Sequence, residues 1–102
     1  MDAETRKRVL QWEQEKYLKK LAVIILGCKF AFKIGLPVVT ESDFEDMKED
    51  YKEQLERIKL IKPGLVYRSV LEDGWDKTHP WAAEGMDFAY SAIDGEDLER
   101  FS

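Results

Sequence analysis

The sequence predicts a small all-α domain of three to four helices, built on a long N-terminal helix. Three observations support this prediction. No proline precedes Pro37, so residues 3–34 can form one uninterrupted helix. Apolar residues recur at three- and four-residue spacing in two later segments, at about 43–61 and 79–93. The 102 residues are 44% hydrophobic and 36% charged, which suits one domain over residues 1–102.

The first predicted helix is polar in its first half and apolar in its second half. A seam at helical spacing, interrupted by a polar Gln14, consists of Leu10, Tyr17, Leu21, Ile24, Cys28 and Ala31. We expect this seam to pack in the core or against another helix. A second stripe, with lysines near its middle, consists of Val9, Trp12, Val23, Phe30 and Ile34. For Trp12, burial under a later segment is favoured over exposure as an anchor for a partner.

The apolar half of this helix admits an alternative structure. A β-hairpin over residues 21–34, with its turn at Gly27 and Cys28, would make the fold α+β. The helix is favoured because no turn residue separates this segment from the polar helical segment before it. Gly35 and Pro37 then provide the expected helix end.

The second helix is predicted over residues 43–61, before Pro63. Ser42 and Glu45 form a capping box at its start. Its apolar face consists of Phe44, Met47, Tyr51, Leu55, Ile58 and Ile61. Its opposite face is acidic and consists of Asp43, Glu45, Asp46, Glu49, Asp50 and Glu53. This face is either a solvated surface or a docking surface for a basic partner, whose cations the carboxylates would attract.

The remaining chain contains two further candidate helices. Residues 65–71 form either a short helix or a strand, and the helix is favoured because a lone strand would need a partner. Thr78 is the expected N-cap of a last helix over residues 79–93. Asp94 and Gly95 are expected to end that helix. Its small residues would allow another helix to approach closely: Ala82, Gly85 and Ala89.

The sequence contains no catalytic or metal-binding signature. His79 is the only histidine and is predicted at the surface, while Cys28 is the only cysteine and is expected to be a buried thiol. The glycine-rich motifs that bind phosphates are missing as well. We therefore expect no enzymatic activity, no cofactor and no metal. A single cysteine also suits a reducing, cytoplasmic location.

Charge is distributed unevenly along the chain. Residues 1–35 hold eight Lys or Arg against four acids, a net charge of +4, whereas residues 36–102 have a net charge of −9. An acidic domain is a poor candidate for binding nucleic acid. The longest apolar run without charge, residues 21–28, is far shorter than the roughly 20 residues that span a bilayer. We expect neither nucleic acid nor membrane as a partner.

The leading functional hypothesis is a non-enzymatic protein-binding module. It would be a small acidic inhibitor or immunity-type protein that blocks a basic surface of its partner. In size and charge the chain resembles toxin immunity proteins and virus-encoded inhibitors of host defence. The residues expected to bind the partner are Trp12, Asp43, Glu45, Asp46, Glu49, Asp50 and Glu53.

Two alternatives follow from the basic first helix and from the small size. The chain could form a helical oligomer that binds a small ligand, such as a nucleotide, between subunits, because aromatic rings beside cations suit stacking. The residues expected to bind it are Lys16, Tyr17, Lys19 and Lys20. A third hypothesis is an assembly or scaffolding subunit. A domain of this size buries little surface, so self-association is expected.

Overall fold

The computed structural model describes residues 2–58 and 64–95 in full and the backbone of residues 96–101. Across these residues it contains helices and no strand, which confirms the all-α prediction. The elements are α1 (Ala3–Lys33), α2 (Glu41–Arg57), α3 (Leu65–Ser69) and α4 (Ala82–Phe101). The alternative hairpin over residues 21–34 is wrong, because α1 runs through this segment. Residues 65–69 adopt the short helix that was favoured over a strand.

Helix α1 begins and ends where the sequence indicates. The Asp2 side chain accepts a hydrogen bond of 2.7 Å from the backbone N–H of Thr5, which caps the first turn. The same hydrogen bond lowers the pKa of the Asp2 carboxyl. After Lys33 the chain turns at Gly35, whose φ of 76° lies in the left-handed region that glycine adopts without strain.

Helix α2 starts earlier and ends earlier than predicted. Thr40, not Ser42, is the N-cap: its hydroxyl accepts a hydrogen bond of 3.1 Å from the N–H of Asp43. The predicted capping box at Ser42 is therefore wrong, since the helix has already begun at Glu41. At the other end Ile58 is extended, with ψ of 131°, so it is no longer helical. The rest of the predicted last turn, residues 59–61, lies outside the described residues.

Helix α4 also differs from its prediction at both ends. Thr78 does not cap it, because the N–H and the hydroxyl of Thr78 both donate to the Asp76 carboxylate. The helix begins at Ala82, and it continues through Gly95 to Phe101 instead of stopping at residue 93. A glycine within a helix costs only about 1 kcal/mol relative to alanine, so Gly95 weakens this helix without ending it.

The core lies along the second half of α1, which α2 covers on one side and α4 on another. One cluster joins Leu18, Ala22 and Ile25 of α1 to Tyr51 of α2 and to Val70 after α3. The Tyr51 hydroxyl donates to the backbone carbonyl of Tyr67, which ties α2 to α3. A smaller second cluster contains Phe30, Ala31 and Ala89.

Helices α1 and α4 cross in close contact at two glycines. A Cβ atom added to Gly27 would lie 2.6 Å from the carbonyl oxygen of Gly85 and 2.7 Å from the Phe88 ring. Ala82 and Ala89 are also buried in α4. The predicted close approach at these small residues is thus confirmed, and it fixes how α4 lies against α1.

Candidate functional site

The first three turns of α1 project away from the rest of the molecule. We call residues 3–14 the α1 arm; all of them are exposed except the half-buried Gln11. Burial begins at Glu15, whose carboxylate accepts a hydrogen bond of 3.0 Å from the Tyr67 hydroxyl. The 31 residues of α1 correspond to about 46 Å at 1.5 Å per residue, and the longest extent of the molecule is 52 Å. The arm therefore extends into solvent as a single helix.

Apolar side chains on this arm are exposed. Trp12 is 52% exposed, and the neighbouring Val9 and Leu10 are exposed as well. The Lys16 ammonium lies 3.8 Å from the centroid of the Trp12 ring, a cation–π contact. The expected burial of Trp12 is therefore wrong, because no later segment among the described residues reaches the arm. Exposure of Trp12 is the geometry that the partner-anchor interpretation requires.

The predicted apolar seam is correct only in the second half of α1. Leu21, Cys28 and Ala31 are buried and Ile24 is half-buried, but Leu10 and Tyr17 are more than half exposed. The core uses a neighbouring face instead, through Leu18, Ala22 and Ile25. Both sets of residues have helical spacing, so their spacing alone does not determine which set faces α2.

A groove of about 880 Å³ opens between α1 and α4 next to the arm. We call it the α1–α4 groove. Its apolar floor consists of Tyr17, Val23, Ile24 and Phe88. Its rim carries three lysines, which are Lys16, Lys19 and Lys20. The four residues predicted to bind a small ligand therefore all line one groove.

Some charged groups around this groove contact a partner in the same chain, and others have no ion pair within the described residues. The Lys19 ammonium lies 3.5 Å from a Glu84 oxygen and 5.5 Å from the Trp81 ring centroid. Lys16 is held over Trp12. Glu13 and Lys20 also line the groove and are exposed, and neither has an ion-pair partner among residues 2–58 and 64–95. One acid and one base of the groove thus remain free for a second molecule.

The acidic face of α2 is a separate surface. We call it the acidic surface; its six residues, all exposed, are Asp43, Glu45, Asp46, Glu49, Asp50 and Glu53. Lys48 forms an ion pair of 3.1 Å with Glu45 and lies 5.0 Å from the Phe44 ring centroid. The described residues include no other ion pair to this surface. Most of its carboxylates therefore face solvent without an ion pair to a cation among residues 2–58 and 64–95.

Trp12 and the start of the acidic surface, which were predicted to bind one partner together, lie far apart. The Phe44 ring at the start of α2 packs 5.3 Å from the Phe32 ring near the end of α1. Phe32 follows Trp12 by 20 residues, which corresponds to about 30 Å of helix. Trp12 on the arm is therefore well separated from the first carboxylates of the predicted partner site on α2.

His79 is buried and joins α3 to α4, whereas the sequence predicted it at the surface. Its Nδ1 accepts a hydrogen bond of 3.0 Å from the N–H of Trp81, so the proton of the neutral ring is on Nε2. Nε2 lies 3.2 Å from the Val66 carbonyl oxygen and 2.9 Å from the Ser69 hydroxyl. That hydroxyl donates to the same carbonyl at 2.8 Å. In this tautomer Nε2 is a donor and does not accept a proton from Ser69.

Lys29 and Cys28 are adjacent in the packed part of α1, and both have structural roles. The Lys29 ammonium donates to the carbonyls of Val70, at 2.6 Å, and Glu72, which fixes the chain after α3. Burial lowers the Lys29 pKa, with a smaller effect from the charge of Lys48. Burial raises the pKa of the Cys28 thiol to about 11, which keeps it protonated at neutral pH.

Sequence reasoning missed the role of Lys29 because its partners are backbone carbonyls 41 and 43 residues away. Within the described part of the chain, no group of three or more His, Cys, Asp or Glu residues is placed to hold a metal ion. No helix there combines the length and the apolar character needed to cross a bilayer.

Comparison with protein-family models, curated proteins and solved structures finds no match. The function is therefore inferred from the exposed surfaces of the chain itself.

Proposed function

We propose that this chain is a non-enzymatic protein-binding module whose acidic surface docks onto a basic patch of a partner protein and blocks it. The observation that carries the proposal is the exposure of six carboxylates on α2, with a single ion pair to them in the part of the chain that the structure describes. A cytoplasmic location is part of the proposal, since the Cys28 thiol requires no oxidising compartment.

The arrangement of the acidic surface supports docking to a protein. Asp43, Asp46, Asp50 and Glu53 follow three- and four-residue spacing, so they form one row along α2. Like charges at this spacing each destabilise a helix by a few tenths of a kcal/mol. Cations of a partner would remove this repulsion and would also speed association through the electric field.

The other face of α2 holds this row in place. Tyr51 is fully buried, and Phe44 and Met47 pack against the core. A helix fixed in this way presents its carboxylates without reordering, which reduces the entropic cost of binding.

A charge-reversal experiment tests this function. Wild-type protein and a variant with Glu45, Asp46, Glu49 and Asp50 all changed to Lys are immobilised and exposed to extract of the cells that express the chain. The matched control reverses four exposed acids outside α2, at Glu4, Asp73, Asp87 and Asp94. All proteins are first checked for folding by circular dichroism.

We expect the same basic protein to be retained by wild type and control and lost by the α2 variant. Salt should release it, because the Debye length falls from about 10 Å at 0.1 M to about 3 Å at 1 M. Equal retention by the α2 variant would refute the role of the acidic surface.

A second candidate function is binding of a small anion, such as a nucleotide, in the α1–α4 groove. The observation that favours it is that Lys16, Tyr17, Lys19 and Lys20 line one groove with an apolar floor. A thermal-shift screen with nucleotides tests it, since a ligand that binds the folded state raises the melting temperature. We expect a shift that is lost in the Lys16→Gln/Lys20→Gln variant, and a flat response would eliminate this candidate.

A further inference from the structure

The α1 arm and the α1–α4 groove form one continuous exposed face. Val9, Glu13, Lys16, Lys20 and Ile24 are separated by four, three, four and four residues. At 100° per residue they fall within a sector of about 80° on α1. The face is apolar at each end and charged in the middle.

We infer that this face is covered by the same face of a second copy of the chain, in an antiparallel pair of α1 helices. The two-fold axis passes between Lys16 and Tyr17, so that the numbers of facing residues add up to 33. This self-association is independent of the acidic surface, which lies on α2, so either proposal can fail without the other.

Charge complementarity determines the direction of the pair. In the antiparallel arrangement Glu13 of each copy faces Lys20 of the other, which gives two ion pairs. A parallel arrangement would place Glu13 against Glu13 and Lys20 against Lys20, and like charges facing each other are repulsive. Both residues are exposed and free of ion pairs within the described part of the chain.

The apolar residues fit the same register. Val9 of one copy faces Ile24 of the other. The apolar floor of the groove, which includes Ile24, therefore receives Val9, an apolar side chain that the arm exposes. This register accounts both for the exposed Val9 on the arm and for the apolar groove beside the arm.

Repulsion between the central lysines does not disfavour this register. The Lys16 ammonium is held 3.8 Å from its own Trp12 ring, and Lys19 is paired with Glu84. Both charges are thus directed away from the axis. The pair covers residues 9–24 of each helix, about 24 Å of contact.

The test is sedimentation equilibrium of the full chain between 1 and about 200 μM at 0.1 M salt. We expect wild type to approach twice the chain mass of 11.9 kDa. Glu13→Lys and Lys20→Glu should each weaken the dimer about tenfold or more, because each turns two attractions into two repulsions. Val9→Asp should abolish it. Glu4→Lys, on the opposite side of the arm, is the matched control and should leave it unchanged.

Mixing the single variants gives the most specific result. In a pair of one Glu13→Lys chain and one Lys20→Glu chain, every facing position carries opposite charges, so the mixture should form a heterodimer. The double variant Glu13→Lys/Lys20→Glu should likewise recover the wild-type dissociation constant to within about threefold. Wild type that stays at one chain mass overturns the proposal. So does a dimer that neither single reversal weakens, or single reversals that neither mixing nor combination rescues.

Discussion

The two halves of α1 share one continuous helix and have opposite surroundings. From Glu15 onward every turn of the helix has a buried residue, which α2, α3 or α4 covers. The arm before Glu15 has no buried residue. The arm needs no packing to be helical, because extending an existing helix avoids the unfavourable nucleation step. The helical structure of a segment therefore does not reveal its function. The exposed apolar residues of the segment are more informative about its function.

The largest expected effect lies at the closest contact of the packed half. Gly27→Ala should lower the free energy of unfolding by about 3 kcal/mol, because the new Cβ would meet the backbone oxygen of Gly85 at 2.6 Å. The matched control is Gly95→Ala in α4, where the same Cβ meets nothing within 4 Å. The control should gain up to about 1 kcal/mol from helix propensity. Urea unfolding measures both, and equal stabilities would contradict the tight crossing.

A smaller loss is expected when a buried hydroxyl is removed. Tyr51→Phe leaves the Tyr67 carbonyl without its donor and should cost about 2 kcal/mol. Tyr17→Phe, at the start of the groove, removes a hydroxyl from a side chain that is 55% exposed. It should cost less than about 0.5 kcal/mol in dilute protein. Similar losses in both variants would show that Tyr17 is as enclosed as Tyr51.

Alkaline pH should weaken the packed half. Burial raises the pKa of Cys28 to about 11 and that of Tyr67 to about 12, and it raises the pKa of Tyr51 as well. Groups with a raised folded pKa contribute stability that is complete below their unfolded pKa and is lost as pH rises through the folded value. Lys29, whose pKa is lowered, acts in the opposite direction.

The free energy of unfolding should therefore fall by about 1 kcal/mol or more between pH 8.5 and 10.5. Cys28→Ala should reduce this decline, which urea midpoints at the two pH values would reveal. A decline of the same size in Cys28→Ala would show that the thiol does not take part.

The smallest effect is expected on the arm. Trp12→Ala in dilute protein should change the free energy of unfolding by less than about 0.5 kcal/mol, because only the contact with Lys16 is lost. Trp81→Ala should cost about 3 kcal/mol, since its ring packs 4.9 Å from the Tyr67 ring. A large loss at Trp12 would mean that the arm is covered within one chain.

Local signals in the sequence predicted the helices well, because capping residues, prolines and apolar spacing act over a few residues. The same signals misplaced some boundaries, as when Thr40 took the capping role expected of Ser42. The burial of His79 and the exposure of Trp12 could not be predicted locally, because both depend on where α3 and α4 pack. The distance between Trp12 and the start of the acidic surface has the same cause.

Amide hydrogen exchange along α1, at two protein concentrations, tests most directly whether its halves have different roles. In dilute protein, amides of the packed half should exchange only through global unfolding, and arm amides from residues 7–14 should exchange at least about 100-fold faster. At high concentration the arm amides should gain protection because a second copy covers them, whereas amides of the packed half should gain only the amount by which dimerisation raises the free energy of unfolding. Equal protection of both halves, unchanged by concentration, would contradict the difference between the arm and the packed half.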